Sequence, residues 1–470
     1  MKVPLTIQET QEALKKKDLS CVDLVDYYLE RIDKFNPEIN AVLTVSSELA
    51  YSQARKADKL IKELGDKAFE EFPLLGVTVI HKDMFLTKGI RTTAASHVLE
   101  DYVPAYSATV VERLEKAGCI TLGKANQDAW AHGSSGENSD FGPTKNPWNK
   151  KLVPGGSSSG SAASLAADFS LISTGTDTCG SIRLPANYCG VLGLKPTYGS
   201  VSRFGIIAMA SSLDSIGHFG RVVSDVRKVF EVTRGIDGHD STLSSLHKPY
   251  QPKSKGLKIG LPKEFLGEGL EDDVRDGVLE AAKTFEKMGN KIMEISLPHT
   301  KYGISVYYII QPAEVSSNLS RYDGVRYGKD RSFFGDEAKR RIMLGSYVLS
   351  AGYYDAYYLK AMKVRSVIIE EVDRAFEDVD LILAPVAPSL PFKLGEKVND
   401  PLKMYLTDIY AATANLCGIP SLAVPSGFNK DNLPFGFQIM GPKFSEELLF
   451  ASALEYHRFI DYKPQVAKII

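Results

Sequence analysis

Gly155-Gly156-Ser157-Ser158-Ser159-Gly160, followed shortly by Asp177-Thr178-Cys179-Gly180-Ser181-Ile182-Arg183, is the stretch on which the reading of this chain turns. Six small residues in a row cannot fill a core; they leave backbone N–H groups and hydroxyls free to close on a small ligand. A Gly/Ser run is commonly just a flexible loop. Here it runs straight into Ser161-Ala162-Ala163-Ser164-Leu165-Ala166-Ala167, a strongly helical sequence, so the loop is predicted to open a helix with its N–H groups aimed at something polar. A phosphate loop would need Gly-Lys-Ser/Thr at its end, and no lysine lies between Lys151 and Lys195.

A serine hydroxyl needs a base before it becomes a nucleophile, and Lys82 is the candidate. It ends Leu74-Leu75-Gly76-Val77-Thr78-Val79-Ile80-His81, an apolar, β-branched run that reads as a buried strand. A lysine at a strand end is ordinarily a solvated charge. Desolvation, however, disfavours the ammonium and lowers its pKa, so a buried lysine can accept a proton near neutral pH. A neutral Lys82 could then draw a proton from Ser157 while Ser157 draws one from Ser181, provided that the groups lie within roughly 2.6–3.2 Å of one another.

The run from Gly155 to Ala186 resembles the amidase signature, whose members use a Ser-Ser-Lys triad with a cis peptide bond before the middle serine. The spacings of 75 residues from Lys82 to Ser157 and 24 from Ser157 to Ser181 match that pattern. The resemblance implies Lys82 as base, Ser157 as bridging serine and Ser181 as nucleophile, with an oxyanion hole built from the N–H groups of Thr178, Cys179, Gly180 and Ser181. It also implies the fold: α/β, a large twisted mixed sheet with helices on both faces. Within the family, Gly133-Ser134-Ser135-Gly136-Glu137-Asn138-Ser139, the block from Ser316 to Gly328 and Ser350-Ala351-Gly352-Tyr353-Tyr354-Asp355-Ala356-Tyr357-Tyr358 are similar to the A subunits of glutamyl-tRNA(Gln) and aspartyl-tRNA(Asn) amidotransferases.

Such subunits are glutaminases, in which an arginine and an aspartate hold the α-carboxylate and α-amine of glutamine. By motif these are Arg341, in Lys339-Arg340-Arg341-Ile342-Met343, and Asp408, in Met404-Tyr405-Leu406-Thr407-Asp408, with Tyr307 as a third candidate. One fixed cation and one fixed anion suit a zwitterion. Spacing alone does not choose Arg341 over Arg340, and either could be a helix-surface charge. The resemblance further implies a heterotrimer: B and C subunits as partners, the B subunit binding misacylated tRNA and using ATP and Mg, and no cofactor or metal in this chain. The alternative is a stand-alone amidase acting on another small amide; a third is a scaffold that has lost its chemistry, against which the intact Lys82, Ser157 and Ser181 argue.

Two positions depart from the family pattern. Cysteine stands at 179 where glycine is common, which would add strain of roughly 1–2 kcal/mol if φ were positive there. A Cys179 nucleophile lacks a histidine nearby in sequence. The join Lys329-Asp330-Arg331-Ser332-Phe333 is shorter than in related subunits.

Composition fits a large enzyme: 470 residues, 44% hydrophobic, with no 18-residue apolar run. Lys+Arg 56 against Asp+Glu 58 gives a net charge of −2 without a long basic run, a poor basis for holding tRNA unaided. The start shows neither a signal-peptide apolar region nor the look of a transit peptide, and five scattered cysteines suggest a reducing, cytoplasmic setting. The eight histidines show no paired metal-ligand spacing. Helices are predicted over Cys21 to Phe35 with Ser20 as cap, Ser107 to Ala117 and Val274 to Lys287; strands over Cys119 to Gly123, Leu257 to Leu261 and Leu381 to Ala384. The polar stretch Ser241 to Lys255 is the candidate exposed connection, in a chain read as one domain over 1–470 with an N-terminal helical segment of about 1–65 packed on the core.

Overall fold

Short β-branched runs separated by amphipathic segments build one sheet. A computed structural model of the chain describes residues 3–243, 256–326 and 328–469. Its strands are β1 (Val42–Val45), β2 (Thr78–Lys82), β3 (Ile120–Ala125), β4 (Ile172–Asp177), β5 (Leu192–Lys195), β6 (Ser215–Gly220), β7 (Lys258–Pro262), β8 (Lys291–Ile295), β9 (Leu381–Ala384), β10 (Ser421–Phe428) and β11 (Pro434–Met440). They lie in the order β1-β3-β2-β4-β6-β5-β10-β11-β9-β7-β8. The sheet is mixed: β2 runs parallel to both β3 and β4, and β7 to both β8 and β9, while β4/β6, β5/β6, β5/β10 and β10/β11 are antiparallel.

Every residue of β2, β3, β4, β5, β6 and β9 is buried. Successive strand side chains point to opposite faces, so strands buried throughout require cover on both, as the α/β reading expects. The helices Ser159–Ala166 and Arg183–Cys189 are themselves buried along their whole length. At one edge, β8 has no fully buried residue: Lys291 and Glu294 are exposed and the other three half-buried.

The predicted elements are present, Leu381–Ala384 with the expected bounds and the others with shifted ends. The first long helix is Cys21–Ile39; Ser20 caps it, and Asp23 closes the reciprocal bond to the Ser20 backbone. The other two predicted helices span Thr109–Lys116 and Asp272–Lys287. The run from Leu74 is strand only from Thr78: Gly76 takes φ +78, and Leu75 N–H turns back to Phe72 O at 3.0 Å. Lys82 is therefore the last strand residue. The short join at 329–333 carries a single 3₁₀ turn, Arg331–Phe333, capped by Asp330, and Lys329 is paired with Glu100. From 244 onward the stretch Ser241 to Lys255 lies outside the described residues, as does Tyr327.

Candidate active site

Two adjacent parallel strands, β2 and β4, end side by side and carry the centre. Lys82 closes β2; Asp177 closes β4 and leads into the loop that bears Ser181. Between them comes the Gly155–Ser158 turn, with Gly155 at φ +78 and a cis Gly156–Ser157 peptide, before the Ser159–Ala166 helix begins. Gly156 is obligatory for a packing reason: an added Cβ would stand 2.0 Å from Asp128 Oδ2. Asp128 is buried, accepts N–H bonds from Gly136 and Asn138, and donates its own N–H to Ser157 O at 3.1 Å.

Lys82 is fully buried, and its Nζ lies 2.8 Å from both Ser157 Oγ and Thr176 Oγ1. Thr176 directs its own proton to Met84 Sδ at 3.2 Å, so it can only accept from the amine. That orientation leaves the lone pair of an uncharged amine for Ser157. Burial without an ion-pair partner pulls the Lys82 pKa from 10.5 down to about 7; the more distant Asp128, Asp177 and Asp214 offset part of the fall. Ser181, 7% exposed, is brought beside Ser157 through the backbone, since Ser158 N–H donates to Ser181 O at 3.1 Å. Among the described residues, no hydrogen bond joins the two hydroxyls. The structure shows the lysine–serine hydrogen bond and a backbone link between the two serine segments.

The loop 177–183 is held from beneath. Asp177 accepts from Gly180 N (2.7 Å) and Ile182 N (3.1 Å), and it pairs with Arg183 Nη2 at 3.0 Å. The fully buried Arg183 also donates to Gln438 Oε1, Ala411 O and Asn415 Oδ1. One expectation is corrected here. Gly180 N–H is spent on Asp177 and does not face a developing oxyanion; the N–H groups of Thr178, Cys179 and Ser181 have no protein partner among the described residues and keep that capacity. The positive φ of the loop, +108°, also falls on Gly180 and not on Cys179, so the cysteine carries no left-handed strain. The Cys179 thiol is buried, and burial drives its pKa far up, opposite to what a thiolate nucleophile requires.

Charges of opposite sign stand beyond the loop. Asp408 is buried, and its Oδ1 comes within 3.9 Å of where a Gly180 Cβ would be; its Oδ2 accepts from Ser134 Oγ at 2.5 Å. Burial pushes its pKa up to about 7, against the pull of Ser134 and Arg341. The two arginines differ in burial. Arg340 has a 42% exposed side chain, whereas Arg341 is buried, with Nε on Glu337 Oε1 at 2.8 Å and Nη1 buried without a partner. Tyr307 is buried within electrostatic reach of Cys179, Arg341 and Asp408. Lys82, Ser157 and the Ser181 loop thus adjoin one another, and Tyr307, Arg341 and Asp408 lie near that loop. Missed were Thr176, Ser134, Asp128 and the Arg183 partners Asn415 and Gln438. Thr176 alone left a trace: it shares a strand face with Thr174, whose Oγ1 accepts from Lys82 N at 3.2 Å.

These features suit serine-dependent amide hydrolysis, and the comparisons show the family. A family model described as Amidase matches residues 23–450, and the chain belongs to that family. Within it, the chain is 49% identical over 485 residues to the A subunit of the glutamyl-tRNA(Gln) amidotransferase of Geobacter metallireducens, covering 99% of each. A crystal structure of the corresponding Thermotoga maritima protein superposes with a TM-score of 0.78 at 38% identity, covering 96% of this chain and 98% of that one. The fold is shared more widely: 6-aminohexanoate cyclic dimer hydrolase aligns with a TM-score of 0.88 at 22% identity, over 99% of this chain and 98% of that one.

Proposed function

We propose that this chain is the glutaminase component of a tRNA-dependent amidotransferase, releasing ammonia from glutamine to convert misacylated Glu-tRNA(Gln) to Gln-tRNA(Gln). The observation that carries this reading is a fully buried Lys82, its pKa lowered to about 7 and its Nζ 2.8 Å from Ser157 Oγ, beside the Ser181 loop, with the buried Arg341 and Asp408 near that loop. Near-full-length similarity to the A subunits of such enzymes supports it.

In the reaction, Ser181 Oγ attacks the side-chain carbonyl carbon of glutamine. Its proton moves to Ser157 as the Ser157 proton moves to Lys82 Nζ. The carbonyl oxygen becomes an oxyanion facing the N–H groups of Thr178, Cys179 and Ser181. As the C–N bond breaks, the ammonium of Lys82 returns its proton through Ser157 to the leaving nitrogen, and ammonia departs. Water then cleaves the glutamyl ester by the same relay and yields glutamate. Arg341 holds the α-carboxylate and Asp408 the α-ammonium, with Tyr307 lining the pocket, so that the side-chain amide reaches Ser181.

The near-neutral charge of the chain leaves tRNA to a partner. We assign that task, with ATP and Mg, to a B subunit, and bracing of the pair to a C subunit, in a cytoplasmic heterotrimer; this chain carries no cofactor. No helix among the described residues is long and apolar enough to cross a membrane. The test is co-purification with partner subunits, followed by ammonia release from glutamine with and without misacylated tRNA and ATP. Stimulation by both supports the reading. Turnover of simple amides indifferent to both would point to a stand-alone amidase.

A further inference from the structure

The arginine assigned to the substrate carboxylate is gripped from one side only. Glu337, one helical turn before Arg341 and with its side chain 15% exposed, uses Oε1 to accept from Arg341 Nε at 2.8 Å and from Tyr405 Oη at 3.0 Å. Its other oxygen pairs with Arg340. The rings of Tyr308 and Tyr405 stack at 3.8 Å, and the Arg341 guanidinium lies over them at 5.3 and 5.7 Å from their centroids. These three side chains therefore fix the plane and the Nε edge of the guanidinium, while Nη1 remains buried and unpaired. A buried guanidinium N–H without a partner is costly unless a ligand completes it. The same segment reaches the anion: Asp408 N–H hangs from Tyr405 O at 3.2 Å.

We propose that Glu337 and Tyr405 are positioning residues that aim Arg341 at the substrate α-carboxylate and so set the preference for glutamine over amides lacking that group. This rests on the reading of Arg341 as the carboxylate site. A surface Glu–Arg pair one turn apart would contribute little to stability and nothing to selectivity. Here the arginine is buried, and the glutamate also takes a hydroxyl from the segment that holds Asp408.

The experiment measures kcat and KM for glutamine and for propionamide, in the assembled complex, on Glu337→Gln, Tyr405→Phe and Arg341→Ala. For Glu337→Gln, KM for glutamine should rise about tenfold with kcat within about twofold, so that the glutamine-to-propionamide ratio of kcat/KM falls about tenfold. Tyr405→Phe, which removes one hydroxyl and keeps the ring, should lower the ratio about threefold and serves if Glu337→Gln does not fold. An unchanged ratio, with both substrates losing equally, overturns the positioning role. If Arg341→Ala also leaves the ratio unchanged, it is the carboxylate assignment itself that fails.

Discussion

An ammonium at position 82 would sit fully buried, 2.8 Å from two hydroxyls and without a carboxylate against it, so the uncharged amine is favoured down to about pH 7. Unfolded chains keep that amine protonated up to its ordinary 10.5. Folding therefore releases a proton between about pH 7 and 10.5, and this group makes the fold less stable as pH falls through that window. Lys82→Met should remove the dependence, gaining on wild type as pH drops from 10.5 toward 7 in denaturant titrations. Activity follows the same proton. Log kcat/KM for propionamide should fall with unit slope below about pH 7, where Lys82 charges. For glutamine the limb should be steeper, because Asp408, raised to about 7 by burial, must also be ionised to receive the α-ammonium. Equal slopes would remove Asp408 from the binding step. Ser181→Ala should lower kcat for glutamine by about 10⁴ or more, while Cys179→Ala keeps most of it; the opposite ranking in single-turnover assays would reassign the nucleophile.

The loop between β4 and the Arg183–Cys189 helix depends on a buried ion pair. Asp177 and Arg183 are each fully buried, and together they hold Gly180, Ile182, Gln438, Asn415 and Ala411. Removing one member leaves an uncompensated charge. Arg183→Met should cost about 3–5 kcal/mol of stability in urea titrations, with an accompanying drop in kcat as the Ser181 loop loosens. This network also marks the limit of what the residues disclosed. Lys82, Ser157 and Ser181 were legible because small-residue runs and a charge at the end of an apolar run are local patterns. Arg341 and Asp408 came through resemblance, and no local pattern separates Arg341 from Arg340; burial does. Asn415 and Gln438 could not be read, since each meets Arg183 only when segments 232 and 255 residues apart in sequence come together. The loss of Gly180 N–H to Asp177 was equally invisible, because it depends on how a short turn closes under its own carboxylate.

Across the whole molecule, one sheet runs from β1 to β8, and the centre draws on both halves of the chain: Ser134 meets Asp408 across 274 residues. Strand existence was readable from β-branched runs such as Thr78–Ile80, but strand order was not, because mixed pairing with crossovers leaves no periodic trace in the residues. Contacts of such separation form only when the sheet is complete, so the active arrangement and the global fold should be lost together.

The five cysteines, Cys21, Cys119, Cys179, Cys189 and Cys417, are all free and buried. They are built-in reporters of opening, spread from the first long helix to the last third of the chain. Under a water-soluble thiol reagent the native protein should stay silent, and labelling under mild denaturant should proceed at all five sulfurs with one rate, read by mass spectrometry as a jump from zero to five adducts. An early single adduct on Cys21 would instead show the amino-terminal helix peeling away while the rest of the protein holds.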